Sequence, residues 1–115
     1  MLLGLDPVLS ADLLHALAAM GHGDRIVLVD ANYPATRGRR LIRLPGIDMP
    51  RALQAVLSVL PIDTFIPDPC AVMQVVGEPE ALPPVQAYAI VQTGERRFYG
   101  DILLTKGVVA PEKQA

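Results

Sequence analysis

Residues 20–35 read MGHGDRIVLVDANYPA, and this stretch decides the fold of the chain. Its centre, Arg25–Val29, is a short apolar run rich in β-branched residues, which is typical of a strand buried on both faces. His22 stands between two glycines just before this run, and Asp30 follows its last residue. The stretch therefore predicts a buried strand with a histidine before it and an acid after it.

Two helices are predicted on either side of this strand. Ser10 is a good N-cap, and apolar residues follow it at helical spacing, so the first helix is expected over Ala11–Met20, with Gly21 as its stop. Asp48 is expected to cap a second helix, which Pro61 ends. The expected apolar face of the second helix consists of Leu53, Val56, Leu57 and Leu60.

Further strands are predicted along the rest of the chain. Their ranges are Leu41–Leu44, Cys70–Val76, Tyr88–Gln92 and Phe98–Lys106, the last interrupted by Gly100. Three prolines between residues 77 and 87 argue against a long helix there. This order of helices and strands indicates an α/β layer fold.

The composition limits the classes of protein. A chain of 115 residues fits a single domain, expected over residues 1–109 with a frayed tail at 110–115. Its residues are 51% hydrophobic and only 19% charged, which favours a homo-oligomer that covers part of the apolar surface. A net charge of -2 without a basic stripe disfavours nucleic-acid binding.

The compartment follows from similar observations. The amino terminus lacks the pattern of a signal peptide, and no apolar run is long enough to span a membrane, so the cytoplasm is expected. The single cysteine, Cys70, cannot form an internal disulfide, and its surroundings indicate packing in a buried strand. The basic cluster Arg37, Arg39, Arg40 and Arg43 is either a solvated loop or a contact with a polar ligand or another subunit.

Several catalytic motifs are absent from the sequence. The segment GHGD precedes its strand, whereas a phosphate-binding glycine loop follows one. No spacing of histidine, cysteine and carboxylate residues suits a metal ion, and no Gly-x-Ser-x-Gly elbow is present. We therefore expect neither a metal nor a cofactor.

Two groups of residues remain as candidates for a site. The glycines around His22 leave open backbone for a ligand, and Asp30 at the end of a buried strand could orient the imidazole; otherwise His22 is an exposed turn residue and Asp30 a loop cap. His15 is more consistent with the surface of the first helix. Tyr99 and Asp101, two residues apart, could bind sugar hydroxyls from one face of a strand, or could be an aromatic on a half-buried strand with a solvated acid.

The segments MGHGDRIVLVDANYP and QTGERRFYGDILLTKG resemble the ribose pyranase and fucose mutarotase family. The resemblance covers nearly all of residues 1–76 and 88–109 and is closer to the fucose branch. It implies a three-layer α/β fold with a central sheet flanked by helices. It also implies that a free monosaccharide changes its anomeric or ring form without a cofactor.

The resemblance also assigns residues by position. It implies that His22 is the catalytic histidine, Asp30 its acidic partner and Tyr99 a ligand-binding tyrosine that also takes part in catalysis. Asp101, where the family usually has asparagine, and the neighbouring Asn32 are expected to bind the substrate. Arg37 is a further expected substrate-binding residue.

The resemblance has one large departure and one consequence for assembly. Family members carry a longer helical insertion, with a basic site residue, where this chain has only Gly77–Ala87. Arg37, Arg96 or Arg97 would have to replace that residue, or the activity is reduced or altered. The family also implies a ring-shaped homo-oligomer, commonly a decamer, with sites completed between subunits. The alternatives are a non-catalytic sugar-binding or transport-associated protein and a structural oligomer-forming protein.

Overall fold

The computed structural model describes residues 2–33, 40–72, 87–97 and 101–111. It has the α/β architecture that the sequence predicts, in one domain with a five-stranded mixed sheet. The described elements are α1 (Ala11–Ala19), β1 (Arg25–Val29), β2 (Arg40–Leu44), α2 (Met49–Leu57), β3 (Cys70–Val72), β4 (Ala89–Thr93) and β5 (Ile102–Thr105). Predicted strand residues 73–76 and 98–100 lie outside the described residues.

Strand β1 lies at the centre of the sheet, whose order is β2-β4-β1-β5-β3. It pairs in parallel with β4, which pairs in parallel with β2, and it pairs antiparallel with β5. The carboxyl edge is defined here as the edge where β1, β4 and β2 end and β5 begins. The amino edge is the opposite one, where β1 begins and β5 ends.

Both faces of β1 are buried, as its apolar sequence predicts. Ile26 and Leu28 belong to the larger core cluster, together with residues of both α1 and α2. Val27 and Val29 point the other way into a smaller cluster with Ile90. In the described part of the chain the helices thus cover one face of the sheet.

The cap residues of both helices agree with the sequence. The side chain of Ser10 accepts a hydrogen bond from the N–H of Leu13, and that of Asp48 accepts one from Arg51. These bonds satisfy amide groups that have no partner within the helix. The two helices therefore begin where their caps predict.

The predicted apolar face of α2 is partly wrong. Leu57 is 42% exposed, and the buried face consists of Met49, Ala52, Ala55 and Val56. The helix also ends at Leu57, three residues earlier than expected. Pro61 disfavours helical geometry in the residue before it. Leu60 therefore lies outside the helix, where it is still buried.

The expected burial of Cys70 is also wrong. Cys70 is exposed, because β3 is the outermost strand among the described residues, where it pairs with β5. An apolar sequence context does not distinguish an edge strand from a central one.

The close contact of Gly94 with the β2–α2 turn gives a stability prediction. A Cβ at Gly94 would lie 2.7 Å from the backbone nitrogen of Gly46, so Gly94→Ala is expected to lower the free energy of unfolding by about 1–3 kcal/mol. Gly21→Ala is the control, since its Cβ would meet nothing closer than 3.7 Å. Urea unfolding measures both. Equal stability of the two variants would contradict the packing described here.

Candidate functional site

The turn that carries His22 is fixed on the amino edge of the sheet. The N–H of Gly23 donates to the carbonyl of Lys106, and the N–H of Lys106 donates to the carbonyl of Asp24. Gly23 has a φ of 89°, a left-handed conformation that favours glycine. The Asp24 carboxylate accepts the N–H of Gly21, at 2.8 Å. Asp24 therefore stabilises the turn, and His22 is held at its exposed tip.

The partner of His22 is Asp63, a residue that the sequence analysis did not select. Nε2 of His22 lies 3.2 Å from Oδ1 of Asp63, and the side chains are 44% and 4% exposed. An ionised carboxylate only accepts hydrogen bonds, so Nε2 is the donor. The ring of Phe65 meets the imidazole edge-on, with 5.4 Å between the ring centres. The pair combines an accessible imidazole with a buried carboxylate.

Backbone contacts fix Asp63 in place. Its N–H donates to the carbonyl of Thr105, and its Oδ1 accepts the N–H of Phe65 at 3.0 Å. Gly107 lies so close that a Cβ there would be 2.7 Å from the Cα of Asp63. The Phe65 N–H, more than the hydrogen bond and charge of His22, lowers the pKa of Asp63 against the opposing effect of burial. Asp63 is therefore ionised at neutral pH.

A second polar cluster lies on the carboxyl edge and contains two buried carboxyl groups. Asp30 is 7% exposed and Asp101 is 2% exposed. The backbone N–H of Asp30 donates to Oδ1 of Asp101 at 2.9 Å. The N–H of the exposed Asn32 donates to Oδ1 of Asp30, also at 2.9 Å. The end of β1 and the start of β5 thus bring the two carboxyl groups together.

Burial raises the pKa of Asp101 to about 6, although the N–H of Asp30 opposes the shift. The charge of Asp30 and a hydrogen bond between the two side chains contribute smaller parts of the same rise. The ordinary value is 3.8, so the folded protein holds this proton more tightly than the unfolded chain does.

This shift predicts how Asp101→Asn changes stability with pH. The folded wild-type protein loses stability relative to the unfolded chain as pH rises from about 4 to 6, and the loss persists above 6. Asparagine does not titrate and can still accept the Asp30 N–H. We compare the free energy of unfolding of the variant with that of the wild type. This difference is expected to be about 1–2 kcal/mol more in favour of the variant at pH 8 than at pH 4, after allowance for solvent screening. Urea unfolding at both pH values measures the gain, and the same stability difference at both would contradict it.

The loop after β4 supports the carboxyl edge. The carbonyl of Glu95 accepts the N–H of Ala31, and its carboxylate accepts the N–H of Met49 at the start of α2. Arg97 donates to both carboxylate oxygens of Glu95, and it is the main cause that holds the pKa of Glu95 far below its usual range. The loop therefore joins α2 to the residue that follows Asp30.

Of the three arginines expected as replacements for the missing basic residue, two are described. Arg97 is bound to Glu95, whereas Arg96 is exposed. Arg37 lies outside the described residues, as does Tyr99. His15 is exposed on α1, as expected, and its Nδ1 accepts a hydrogen bond from Arg40 at 2.6 Å.

A cavity of about 270 Å³ opens on the carboxyl edge. Its wall is formed by Ala31, Arg43, Pro45, Gly46, Gln92, Thr93 and Gly94. Another, of about 320 Å³, lies between the amino-terminal segment and α1, and its wall contains no residue of either polar cluster. In the ranges that the structure describes, no three histidine, cysteine or acidic residues converge as metal ligands. No helix there could cross a membrane.

The structure does not bring His22 and Asp30 together within one chain. They lie at opposite ends of β1, and the five residues of β1 alone extend over roughly 16 Å. The local acidic partner of His22 is Asp63, and the local partner of Asp30 is Asp101. No spacing in the sequence predicts that His22 contacts Asp63. The two residues come together because Ile62 pairs with Lys106, just after β5.

The protein described so far is an α/β domain. It has an accessible histidine on one edge of its sheet and two buried carboxyl groups on the other. The chain belongs to the RbsD / FucU transport protein family, whose model matches residues 3–87. This confirms the resemblance seen in the sequence.

Individual relatives are similar over nearly their whole lengths. The fucose mutarotase of Homo sapiens is 38% identical, with 93% of this chain and 94% of that protein covered. The L-fucose mutarotase of Glaesserella parasuis is 36% identical, with 94% and 96% covered. The crystal structure of the fucose mutarotase of Streptococcus pneumoniae in complex with L-fucose is 33% identical, with 95% and 100% covered and a TM-score of 0.84.

The alignments also confirm that this chain is shortened. The human relative aligns over 144 positions, whereas this chain has only 115 residues. The relative therefore contains a segment that this chain lacks.

Proposed function

We propose that this protein is a monosaccharide mutarotase, which interconverts the anomers of a free sugar such as L-fucose. The observation that carries the proposal is the pair of an accessible His22 and a buried, ionised Asp63. The similarity to fucose mutarotases over nearly the whole chain supports the substrate class.

The reaction needs two proton transfers. To open the ring, one group takes the proton of the anomeric hydroxyl, and another gives a proton to the ring oxygen; closure reverses both steps. A histidine exchanges protons near neutral pH and suits one of these roles. The contact with Asp63 places a proton on Nε2 of the neutral imidazole, which leaves Nδ1 able to take the proton of the sugar.

The proposed site contains residues of two subunits. His22 and the pair of Asp30 and Asp101 lie too far apart in one chain to contact one sugar. In a homo-oligomer, the amino edge of one subunit can meet the carboxyl edge of the next. Phe65, which contacts His22, is 72% exposed, and the next residue, Ile66, is 40% exposed; these apolar side chains support such a contact. Tyr99, Asn32 and Arg37 remain predicted members of this site.

The proposal includes a ring-shaped homo-oligomer, with a decamer as the number expected from the family, and a cytoplasmic location. Light scattering measures the subunit number. A monomer that still catalyses exchange would contradict a site shared between subunits.

Saturation-transfer NMR on L-fucose and D-ribose tests the function. We expect faster exchange between sugar anomers in the presence of the protein. If exchange stays at the protein-free rate for every sugar that binds in calorimetry, the protein is a sugar-binding or transport-associated member of the family. That alternative is favoured by the missing segment. If no sugar binds or shifts the melting temperature, a structural oligomer-forming protein is the remaining reading.

A further inference from the structure

We propose that Asp30 and Asp101 share one proton, and that Asp101 donates this proton to the ring oxygen of the bound sugar. This inference rests on the proposed function and deepens it, because it names the second proton-transfer group. It is particular to a chain with a carboxyl group, and not an amide, at position 101.

Hydrogen bonds at the end of β1 hold the carboxyl groups of Asp30 and Asp101 near each other. The N–H of Asp30 occupies Oδ1 of Asp101, and the N–H of Asn32 occupies Oδ1 of Asp30. Each carboxyl group therefore has one oxygen fixed by a backbone donor. A shared proton is left with the remaining oxygens.

Two adjacent buried carboxylates repel each other, and a proton removes one of the charges. Arg97, which follows β4 at the same edge, is bound to Glu95. Arg97 is therefore not available to neutralise the two carboxyl groups. Pairs of titratable groups whose environments separate their pKa values are typical of acid and base roles in catalysis.

Among the described residues, no charged side chain lowers the pKa of Asp101. Burial, with a smaller contribution from Asp30 on β1, raises the pKa of Asp101 to about 6. From β3, on the other side of β5, the only described titratable side chain is Cys70, which pairs with Leu104 further along the strand. Beyond β1, the charges of Glu95 and Arg97 neutralise each other. Asp101 thus holds its proton in part of the population near neutral pH.

The proposed step is balanced in protons and electrons. The bond between the anomeric carbon and the ring oxygen breaks, and its electron pair goes to the ring oxygen, which takes the proton from Asp101. The anomeric hydroxyl gives its proton to His22 of the neighbouring subunit and becomes a carbonyl. Closure on the other face of the carbonyl returns both protons, so the enzyme is restored.

Two measurements on the full-length protein test this inference. The first is a ¹³C NMR titration of the aspartate carboxyl groups. We expect one carboxyl group to titrate near pH 6 and its signal to be absent in Asp101→Asn. In Asp30→Asn the neighbouring charge is gone, so the same group is expected to titrate at lower pH. Ordinary titration of every aspartate below about pH 4.5 would overturn the shared proton.

The second measurement is the pH dependence of anomer exchange. The wild-type rate is expected to fall as pH rises through about 6, because Asp101 loses the proton it donates. Asp101→Asn, which cannot donate a proton, should be at least about tenfold slower and lack that fall. A variant with the wild-type rate and the same fall would overturn the catalytic assignment of Asp101.

The two ways of failing are distinguishable. If the wild-type protein does not accelerate exchange at any pH, the proposed function fails, and the catalytic use of the proton fails with it. The ¹³C titration then still decides whether the carboxyl pair holds a proton. If the wild-type protein is active and Asp101→Asn is unchanged, only the present inference fails.

Discussion

Replacing His22 with alanine is expected to slow the catalysed exchange of sugar anomers by about 10²- to 10⁴-fold. His22 provides the only imidazole of the GHGD turn, and Asp63 holds it in one orientation. Alanine removes the proton-transfer group and leaves the turn, whose backbone bonds come from Gly23 and Lys106, intact. Saturation-transfer NMR at equal protein concentration measures the loss.

The other histidine provides the control for this variant. His15 lies exposed on α1, and its hydrogen-bond partner is Arg40, which belongs to neither polar cluster. His15→Ala should therefore keep the wild-type exchange rate. A His22→Ala protein that is folded and as active as His15→Ala would remove His22 from the mechanism.

Mixing two inactive variants is expected to restore activity. In an oligomer assembled from His22→Ala and Asp30→Asn subunits, some contacts join an intact His22 to an intact Asp30 of the neighbour. Random mixing makes roughly one quarter of the sites complete. Unfolding the two proteins together and refolding them, followed by the exchange assay, tests this prediction. Activity no higher than that of the separate variants would contradict a site shared between subunits.

A mixture of His22→Ala and Asp63→Asn is the matched control for complementation. Both residues belong to the same edge of one chain, since Nε2 of His22 bonds to Asp63 within the chain. No contact between these two kinds of subunit contains an intact pair. This mixture should therefore stay at the level of its components, and its recovery would point to a general effect of refolding.

The sequence predicted the central part of the fold because local signals there agree with the packing. The apolar run of β1 is buried on both faces, and the caps Ser10 and Asp48 begin the two helices. The apolar run and the two cap residues each determine the structure of only the neighbouring residues. The predictions that were wrong, burial of Cys70 and of Leu57, depend on which strand lies at the edge and on how the chain leaves a helix.

The candidate site was predicted only in part, because its partners are distant in sequence. His22, Asp30 and Asp101 were selected from local patterns and from the resemblance, but Asp63 was not. Asp63 reaches His22 only through the bridge between residue 62 and Lys106 and the close approach of Gly107. Such a contact is set by the end of β5, and no spacing along the chain indicates it. Tyr99 and Arg37 stay predictions.

The division of the site between two sheet edges also lies beyond sequence reasoning. The sequence suggested that Asp30 could orient the imidazole of His22. The length of an extended strand excludes that contact within one chain. The resemblance implied sites completed between subunits, and the fold supplies a physical reason for that expectation.

Exchange NMR of L-fucose with the wild-type protein tests the central claim most directly. The α and β anomers give separate signals, and magnetisation transfer between them reports the rate of ring opening. If the protein is a mutarotase, this rate rises in proportion to protein concentration. A rate equal to that in buffer at every protein concentration, although L-fucose binds, would contradict the account.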